Sequence, residues 1–221
     1  MELVPAVNNS KNRPKGTLET KNVTMDSAKY REMLVDHVLP DIHAKFRGDR
    51  NSAIFLQDDG AGPHTREKTQ DFIPMVAMDE YGLDIQMKRQ PPQSPHFNVH
   101  DCGLFNSLQK EVVSEAPSTI DELIDCVTDA WDNLSRDTID NVFLSVQCAM
   151  RDCLADNGDN TVKLKHMNKA KLRRDGMFPQ SIVVPHHLVS KAQLVLNHPE
   201  FILPKEKAAY AWRDGDEADN N

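Results

Sequence analysis

The spacing of apolar residues along the sequence differs between the first and the second half of the chain. In the first half, the short apolar run at Ile54–Gln57 predicts one strand. Leu83–Met87 predicts a second strand, because apolar and polar residues alternate there as in a half-buried sheet. Helical spacing predicts helices from Asp26 onward and over Arg66–Met78. Three prolines in residues 89–100 predict a loop. The first half therefore has the pattern of an α/β domain.

These two helices carry specific expectations about their ends and faces. Asp26 or Ser27 is expected to cap the first helix, and Pro40 to kink it or make it restart, since proline cannot continue the hydrogen-bond ladder. In the second helix the spacing places Phe72, Val76 and Met75 in the core.

The second half of the chain is helical in pattern. Thr119 and Glu122 form a predicted capping box at the start of one helix, and a second helix is expected to stop at Asn157-Gly158. Apolar residues recur at helical spacing in both. The first helix carries Ile120, Leu123, Ile124, Val127, Trp131 and Leu134, and the second carries Ile139, Val142, Phe143, Val146, Met150 and Cys153. Acidic residues fall largely on the outer faces, as a solvated surface requires.

Composition narrows the classes of function. The net charge of -8 over 221 residues gives no global basic field, so binding to nucleic acid would have to be local. The four cysteines form no C-x-x-C pair, which argues against zinc ribbons and redox motifs and favours reduced thiols. No apolar run reaches the ~18 residues of a membrane span, and the first residues do not have the pattern of a secretory signal.

One segment, 163–174, is strongly basic and contains no acid. Its six cations are predicted to contact nucleic-acid phosphates, with an import signal or an ordinary solvated basic helix as alternatives. They are Lys163, Lys165, Lys169, Lys171, Arg173 and Arg174.

Two acidic stretches are the candidates for chemistry. The first, Gln57–His64, reads QDDGAGPH, and the second, Pro91–Phe105, reads PPQSPHFNVHDCGLF. An acid that follows a strand or starts a helix is most often a turn residue or N-cap. Alternatively, two acids placed on either side of a strand–helix–strand unit suit a divalent-metal nuclease site.

Together the two stretches resemble the catalytic domain of mariner-type DDE/D transposases, especially the plant-type branch. The family's motifs are similar to Q-D-N-A-x-P-H and P-P-x-S-P-D-x-N-x-x-D-x-G-F-F. Aligned on the histidine, the first metal-binding acid here is Asp59 and not Asp58. Aligned on Ser94-Pro95, the last acid is Asp101, 42 positions later.

The resemblance implies a ribonuclease-H-like fold in which acids hold two Mg2+ or Mn2+ ions for DNA strand cleavage and transfer. Asp59 and Asp101 would be the catalytic metal ligands, and His64 and Asn98 would support the loops or touch DNA. The implied partner is DNA, with a homodimer left open and neither a membrane nor a small-molecule substrate expected. The implied location is the nucleus.

The sequence also departs from the family pattern. The family's first aspartate and its N-terminal helix-turn-helix have no counterpart here, and His96 stands where the family usually has Asp. Asp26 lies in a helix-entry context and is not taken as a substitute. We therefore expect an N-terminally truncated domain with two of three metal-binding acids, inactive in cleavage alone. The alternative is a domesticated, non-catalytic module that binds DNA or another protein.

The expected organisation has four parts. Residues 1–24 form a polar loop or residual strand region, and residues 25–115 form the truncated ribonuclease-H-like domain. Residues 116–160 are its helical C-terminal part, and residues 161–221 are the basic segment followed by a poorly ordered tail.

Overall fold

A computed structural model describes residues 2–64, 67–161 and 167–198, and within these ranges the chain is a mixed α/β protein. The strands form two two-stranded sheets and are β1 Glu2–Pro5, β2 Leu18–Lys21, β3 Ile54–Asp58 and β4 Ile85–Arg89. The helices are α1 Ser27–Met33, α2 Leu39–Lys45, α3 Glu67–Tyr81, α4 Phe105–Glu115, α5 Ile120–Asp132, α6 Arg136–Ala155, α7 Lys169–Arg174 and α8 His186–Asn197. Most of the predicted tail, residues 199–221, lies outside the described residues.

The chain divides into two compact units. The first comprises residues 1–90 and 118–124, and the second comprises residues 91–117 and 125–221. In the first unit, β1 and β2 form an antiparallel hairpin, with Pro5 opposite Leu18. The polar N-terminal region therefore contains paired strands.

The second sheet of the first unit is the parallel pair β3–β4. The register runs from Ile54 opposite Ile85 to Asp58 opposite Arg89. The connection includes α3, as a parallel pair requires a crossover. Both predicted strands exist, and β4 begins two residues later than its apolar pattern indicated, at Ile85.

The core of this unit lies between α3, the sheet and the α1–α2 arm. Ile73 is fully buried in α3, with Val76 and Ala77 beside it. The prediction for Val76 is confirmed, but the predictions for Phe72 and Met75 are wrong, because both side chains are exposed. The buried face of α3 therefore passes through Ile73 and Ala77.

The helical arm starts where expected. Asp26 is the N-cap of α1, and its carboxylate accepts hydrogen bonds from the backbone N–H groups of Ala28 and Lys29. A π-helical turn, Leu34–Val38, joins α1 to α2, with Pro40 in the first turn of α2. A wider turn accommodates the ring of a proline, which would clash with the carbonyl four residues earlier in a regular helix. The arm thus continues through Pro40 without a break.

In the second unit, α6 supplies most of the buried apolar side chains, including Leu144 and Ala149. The 3-10 turn Pro95–Phe97 and the π-helical turn His100–Leu104 pack against α6. Gly103 permits this approach, since a Cβ there would lie 3.1 Å from Cγ2 of Val142.

The capping box at the start of α5 is confirmed. The Glu122 carboxylate accepts from the Thr119 N–H at 3.1 Å, and the Thr119 hydroxyl accepts from the Glu122 N–H at 3.1 Å. The apolar stripe of this helix is only partly buried: Val127 and Trp131 are 43% and 54% exposed.

Candidate functional site

The loop after β3 separates the two adjacent acids of the first motif. Asp58 is buried, and its carboxylate accepts from the Gly60 N–H at 3.0 Å and from Nε2 of Gln70 at 3.1 Å. Its backbone carbonyl accepts from the Gln90 N–H at 2.8 Å. Asp58 therefore stabilises the end of the strand, and its carboxylate already accepts hydrogen bonds from within the protein.

Asp59 has the opposite environment, with its side chain 49% exposed. Its Oδ1 accepts from the Ala61 N–H at 2.9 Å and lies 2.7 Å from Nδ1 of His64. Because an ionised carboxylate only accepts, Nδ1 of His64 carries the proton in this contact. The Ala61 N–H and then the His64 side chain hold the pKa of Asp59 below its ordinary value. Asp59 is thus an ionised, oriented and accessible carboxylate.

His64 is itself fixed from two sides. Its ring stacks on Tyr30, with ring centroids 4.0 Å apart, and its carbonyl accepts from Nε2 of Gln70 at 3.1 Å. Burial, followed by the negative charges of Asp58 and Asp59, raises the pKa of Tyr30 to about 12. Tyr30 therefore stays neutral and supports the ring that orients Asp59.

The lowered pKa of Asp59 predicts a pH dependence of stability. An acid whose pKa is lower in the folded state stabilises the fold at pH values above its unfolded-state pKa of about 3.9. This contribution disappears as the pH falls through the folded-state pKa. We expect the wild type to melt at a higher temperature than Asp59→Asn near neutral pH, and the difference to vanish in acid. Thermal unfolding of both proteins across this pH range measures it, and a difference that persists in acid would contradict the assignment.

The second motif lies in the second compact unit. Asp101 is exposed in the His100–Leu104 turn, and Nδ2 of Asn98 donates to its Oδ2 at 3.1 Å. Oδ1 of Asn98 accepts from the His100 N–H at 3.0 Å, while the Asn98 carbonyl accepts from the Cys102 N–H at 2.8 Å. The Asn98 side chain therefore contacts both the backbone at the start of this turn and the Asp101 carboxylate.

His96 lies just before this turn and is partly buried. Its ring packs edge-on against Phe97, with centroids 4.3 Å apart. Burial lowers the pKa of His96, which favours the neutral imidazole. A neutral imidazole does not supply the hard oxygen that a carboxylate offers to Mg2+.

The described residues do not contain a complete metal centre. Among them, no three His, Cys, Asp or Glu side chains are grouped so as to hold a metal ion. Asp59 and Asp101 belong to different compact units, and both residues are exposed. Their chemistry suits a hard cation, but their number is smaller than a two-metal centre requires.

Contacts with α6 separate the described cations of the basic segment into a bound group and an exposed group. Lys163 and Lys165 lie outside the described residues. Lys169 donates from Nζ to the Asn141 carbonyl at 2.7 Å and to the Ser145 hydroxyl, and burial lowers its pKa. This cation is engaged inside the protein.

Arg173 is engaged in the same way. Its Nε lies 3.0 Å from the Asp137 carboxylate, its Nη1 donates to Oδ1 of Asn141 at 3.1 Å, and its guanidinium lies over the ring of Phe178. Lys171 and Arg174 are exposed, and among the described residues the ion pair of Arg174 is a 3.5 Å contact with Asp175. These two cations remain accessible to phosphate.

No family model, curated protein or solved structure matches this chain. Across the described residues, none of the helices combines the length and apolar character needed to cross a membrane.

Two residues at the first motif were not identified from the sequence. Tyr30 lies on the helix predicted from Asp26 onward and Gln70 on the helix predicted over Arg66–Met78, but neither side chain belongs to a motif. Tyr30 contacts the loop from a helix distant in sequence, whereas Gln70 reaches back from the first turn of the helix that follows the loop. The spacing of a buried aromatic residue and a histidine cannot show that their rings stack.

Proposed function

We propose that this chain is a transposase-derived protein that binds DNA and carries the remnant of a metal-dependent strand cleavage and transfer domain of ribonuclease-H-like type. The observation that carries the proposal is the state of Asp59. It is an accessible, ionised carboxylate at the end of a parallel strand, oriented by Ala61 and His64 of its own motif. Asp58, one residue earlier, is buried and occupied, in accord with the alignment on the histidine.

The second motif supports the same proposal. Asp101 is exposed at the beginning of a helical segment, and Asn98, a residue of the motif, holds its carboxylate. In the proposed ancestry Asp59 and Asp101 are the catalytic metal ligands for Mg2+ or Mn2+. Only two of the family's three acids have counterparts in this sequence, so we propose no cleavage step through a metal.

DNA is the proposed partner, and the nucleus the proposed location. Lys171 and Arg174 are the described cations of the basic segment that are free to reach phosphates. Each phosphate neutralised on duplex DNA contributes about 0.9 to the slope of log affinity against log salt. Assembly as a homodimer on DNA belongs to the same proposal.

Neutralising these two cations is therefore expected to reduce binding. For Lys171→Gln with Arg174→Gln, the salt slope should fall by about 1.8, so the loss of affinity should be about twelvefold larger at about 50 mM than at about 200 mM salt. Fluorescence anisotropy with a short labelled duplex, titrated between about 50 and 200 mM salt, measures both quantities.

The matched control, Lys110→Gln with Lys191→Gln, removes two exposed lysines elsewhere in the second unit. It changes the net charge by the same amount as the α7 variant. It should bind like the wild type. Equal losses in both double variants would show a general charge effect and contradict the assignment to α7. Absence of wild-type binding at low salt would overturn DNA binding itself.

A second candidate is a non-catalytic protein-interaction module. The exposed apolar side chains of α5, with Trp131 the largest, favour it, because they lie on a helix that also carries five acidic residues and no basic one. Trp131→Ala should leave DNA binding unchanged under the first proposal. If the wild type does not bind DNA, this candidate replaces the first.

A further inference from the structure

The β1–β2 hairpin is the most positively charged part of the described first unit. Between Asn9 and Lys21 it carries four cationic side chains and one carboxylate, in a chain whose net charge is -8. The cations are Lys11, Arg13, Lys15 and Lys21. Charge of one sign is therefore concentrated on one small element of an acidic protein.

Hydrogen bonds hold the tip of this hairpin in a defined shape. Ser10 and Arg13 pair across the turn, with N–H to carbonyl distances of 2.8 and 3.3 Å. Oδ1 of Asn9 accepts from the Lys15 N–H at 2.6 Å, and the Thr17 hydroxyl donates to the Pro14 carbonyl at 2.9 Å. The tip is consequently preorganised, which reduces the entropy lost when it binds a ligand.

The cations of the hairpin fall into two pairs. Glu19 binds Arg13 at 2.5 Å and Lys21 at 2.7 Å, and the hydrogen bond from Lys21 leads the interactions that lower the pKa of Glu19. Lys11, at the apex of the turn, and Lys15 are exposed and have no ion pair with any described residue. Nη1 of Arg13 is buried and has no hydrogen-bond partner among the described residues.

An open cleft of about 420 Å³ lies at this tip. Its walls offer ammonium, guanidinium, amide and hydroxyl groups, the donor types that bind phosphate oxygens. The lining residues are Asn9, Ser10, Lys11, Asn12, Arg13 and Pro14. No carboxylate is among them, so an anion entering the cleft meets no like charge from its walls.

From these observations we infer that the hairpin tip is a second nucleic-acid contact, which binds phosphodiester groups of the backbone through Lys11 and Lys15. The inference rests on the proposed function for the identity of the partner. It assigns the contact to the first unit, separate from α7. Because backbone contacts carry no base readout, the tip adds affinity without sequence preference.

The test compares the wild type with Lys11→Gln and Lys15→Gln in the full chain, by anisotropy of a labelled duplex across about 50 to 200 mM salt. We expect the double variant to lose about 1.8 from the salt slope, so that its loss of affinity is about twelvefold larger at about 50 mM than at about 200 mM salt. The Lys110→Gln, Lys191→Gln control should retain both. Combining the hairpin and α7 substitutions should lower the slope by roughly twice as much, since each pair of substitutions removes two phosphate contacts.

The outcomes separate this inference from the proposed function. Wild-type binding that is lost in the α7 variant but unchanged in the hairpin variant overturns the inference alone. Wild-type protein that does not bind the duplex overturns the proposed function and the inference together. Polyglutamate, a polyanion without phosphates, is titrated in the same assay for comparison. If the wild type binds polyglutamate as tightly as the duplex, and the hairpin variant loses both, the assignment to nucleic acid would be overturned.

Discussion

Replacing Ile73 by alanine is expected to lower the free energy of unfolding by about 2–5 kcal/mol, as truncation of a buried aliphatic side chain leaves a cavity that relaxes only partly. Ile73 is fully buried between the α1–α2 arm and the sheet. Its neighbours in the cluster include Leu39 and Ile85, which are also fully or almost fully buried. Urea unfolding followed by circular dichroism measures the loss.

The control lies on the same helix. Met75 is two residues away and 52% exposed, so Met75→Ala should cost about 1 kcal/mol or less. Comparable losses in the two variants would contradict the observed burial of α3 and would favour the face through Phe72 and Met75 that the sequence pattern indicated.

Removing the carboxylate of Asp58 is expected to destabilise the protein far more than removing that of Asp59. Asp58→Ala leaves the Gly60 N–H and the Gln70 amide without their acceptor at a buried position. Hydrogen bonds to charged groups and unsatisfied buried donors each contribute roughly 1–3 kcal/mol, so we expect a loss of about 2–3 kcal/mol. Urea unfolding provides the measurement here as well.

Asp59→Ala is the matched comparison for this acid pair. Because its carboxylate is half exposed, the donors it leaves can turn to water, and the expected loss is about 1 kcal/mol or less. Asp59→Ala should therefore remain folded and serve as a clean probe of function. A larger loss for Asp59 than for Asp58 would reverse the structural and functional roles assigned to them.

Local signals in the sequence predicted much of the secondary structure. Asp26 caps α1, and Thr119 and Glu122 cap α5, because capping depends on residues within one turn. The strands at Ile54 and Leu83 were also located, with small shifts at their ends. The α/β class follows from these elements, whereas the ribonuclease-H-like fold remains a proposal.

Burial and long-range contacts were less accessible to sequence reasoning. The face of α3 was misassigned because Phe72 and Met75 are large and apolar, although Ile73 and Ala77 occupy the core. Which face is buried depends on what packs against the helix, and its period alone does not determine that.

In the basic segment, likewise, the sequence does not show which cations make contacts within the protein. Lys169 and Arg173 bind acceptors on α6, while Lys171 and Arg174 face solvent. A count of cations could not separate those that hold the protein together from those available to a partner. The experiments on DNA binding therefore target the second pair.

Cleavage of supercoiled plasmid in the presence of Mg2+ or Mn2+ tests most directly the proposal that the chain is a DNA-binding remnant of a transposase domain without cleavage activity. The purified chain should shift the plasmid in a salt-sensitive manner and produce no nicked product, because only Asp59 and Asp101 of the family's three acids have counterparts here. Nicking by the wild type that disappears in the folded Asp59→Ala variant would contradict the claim.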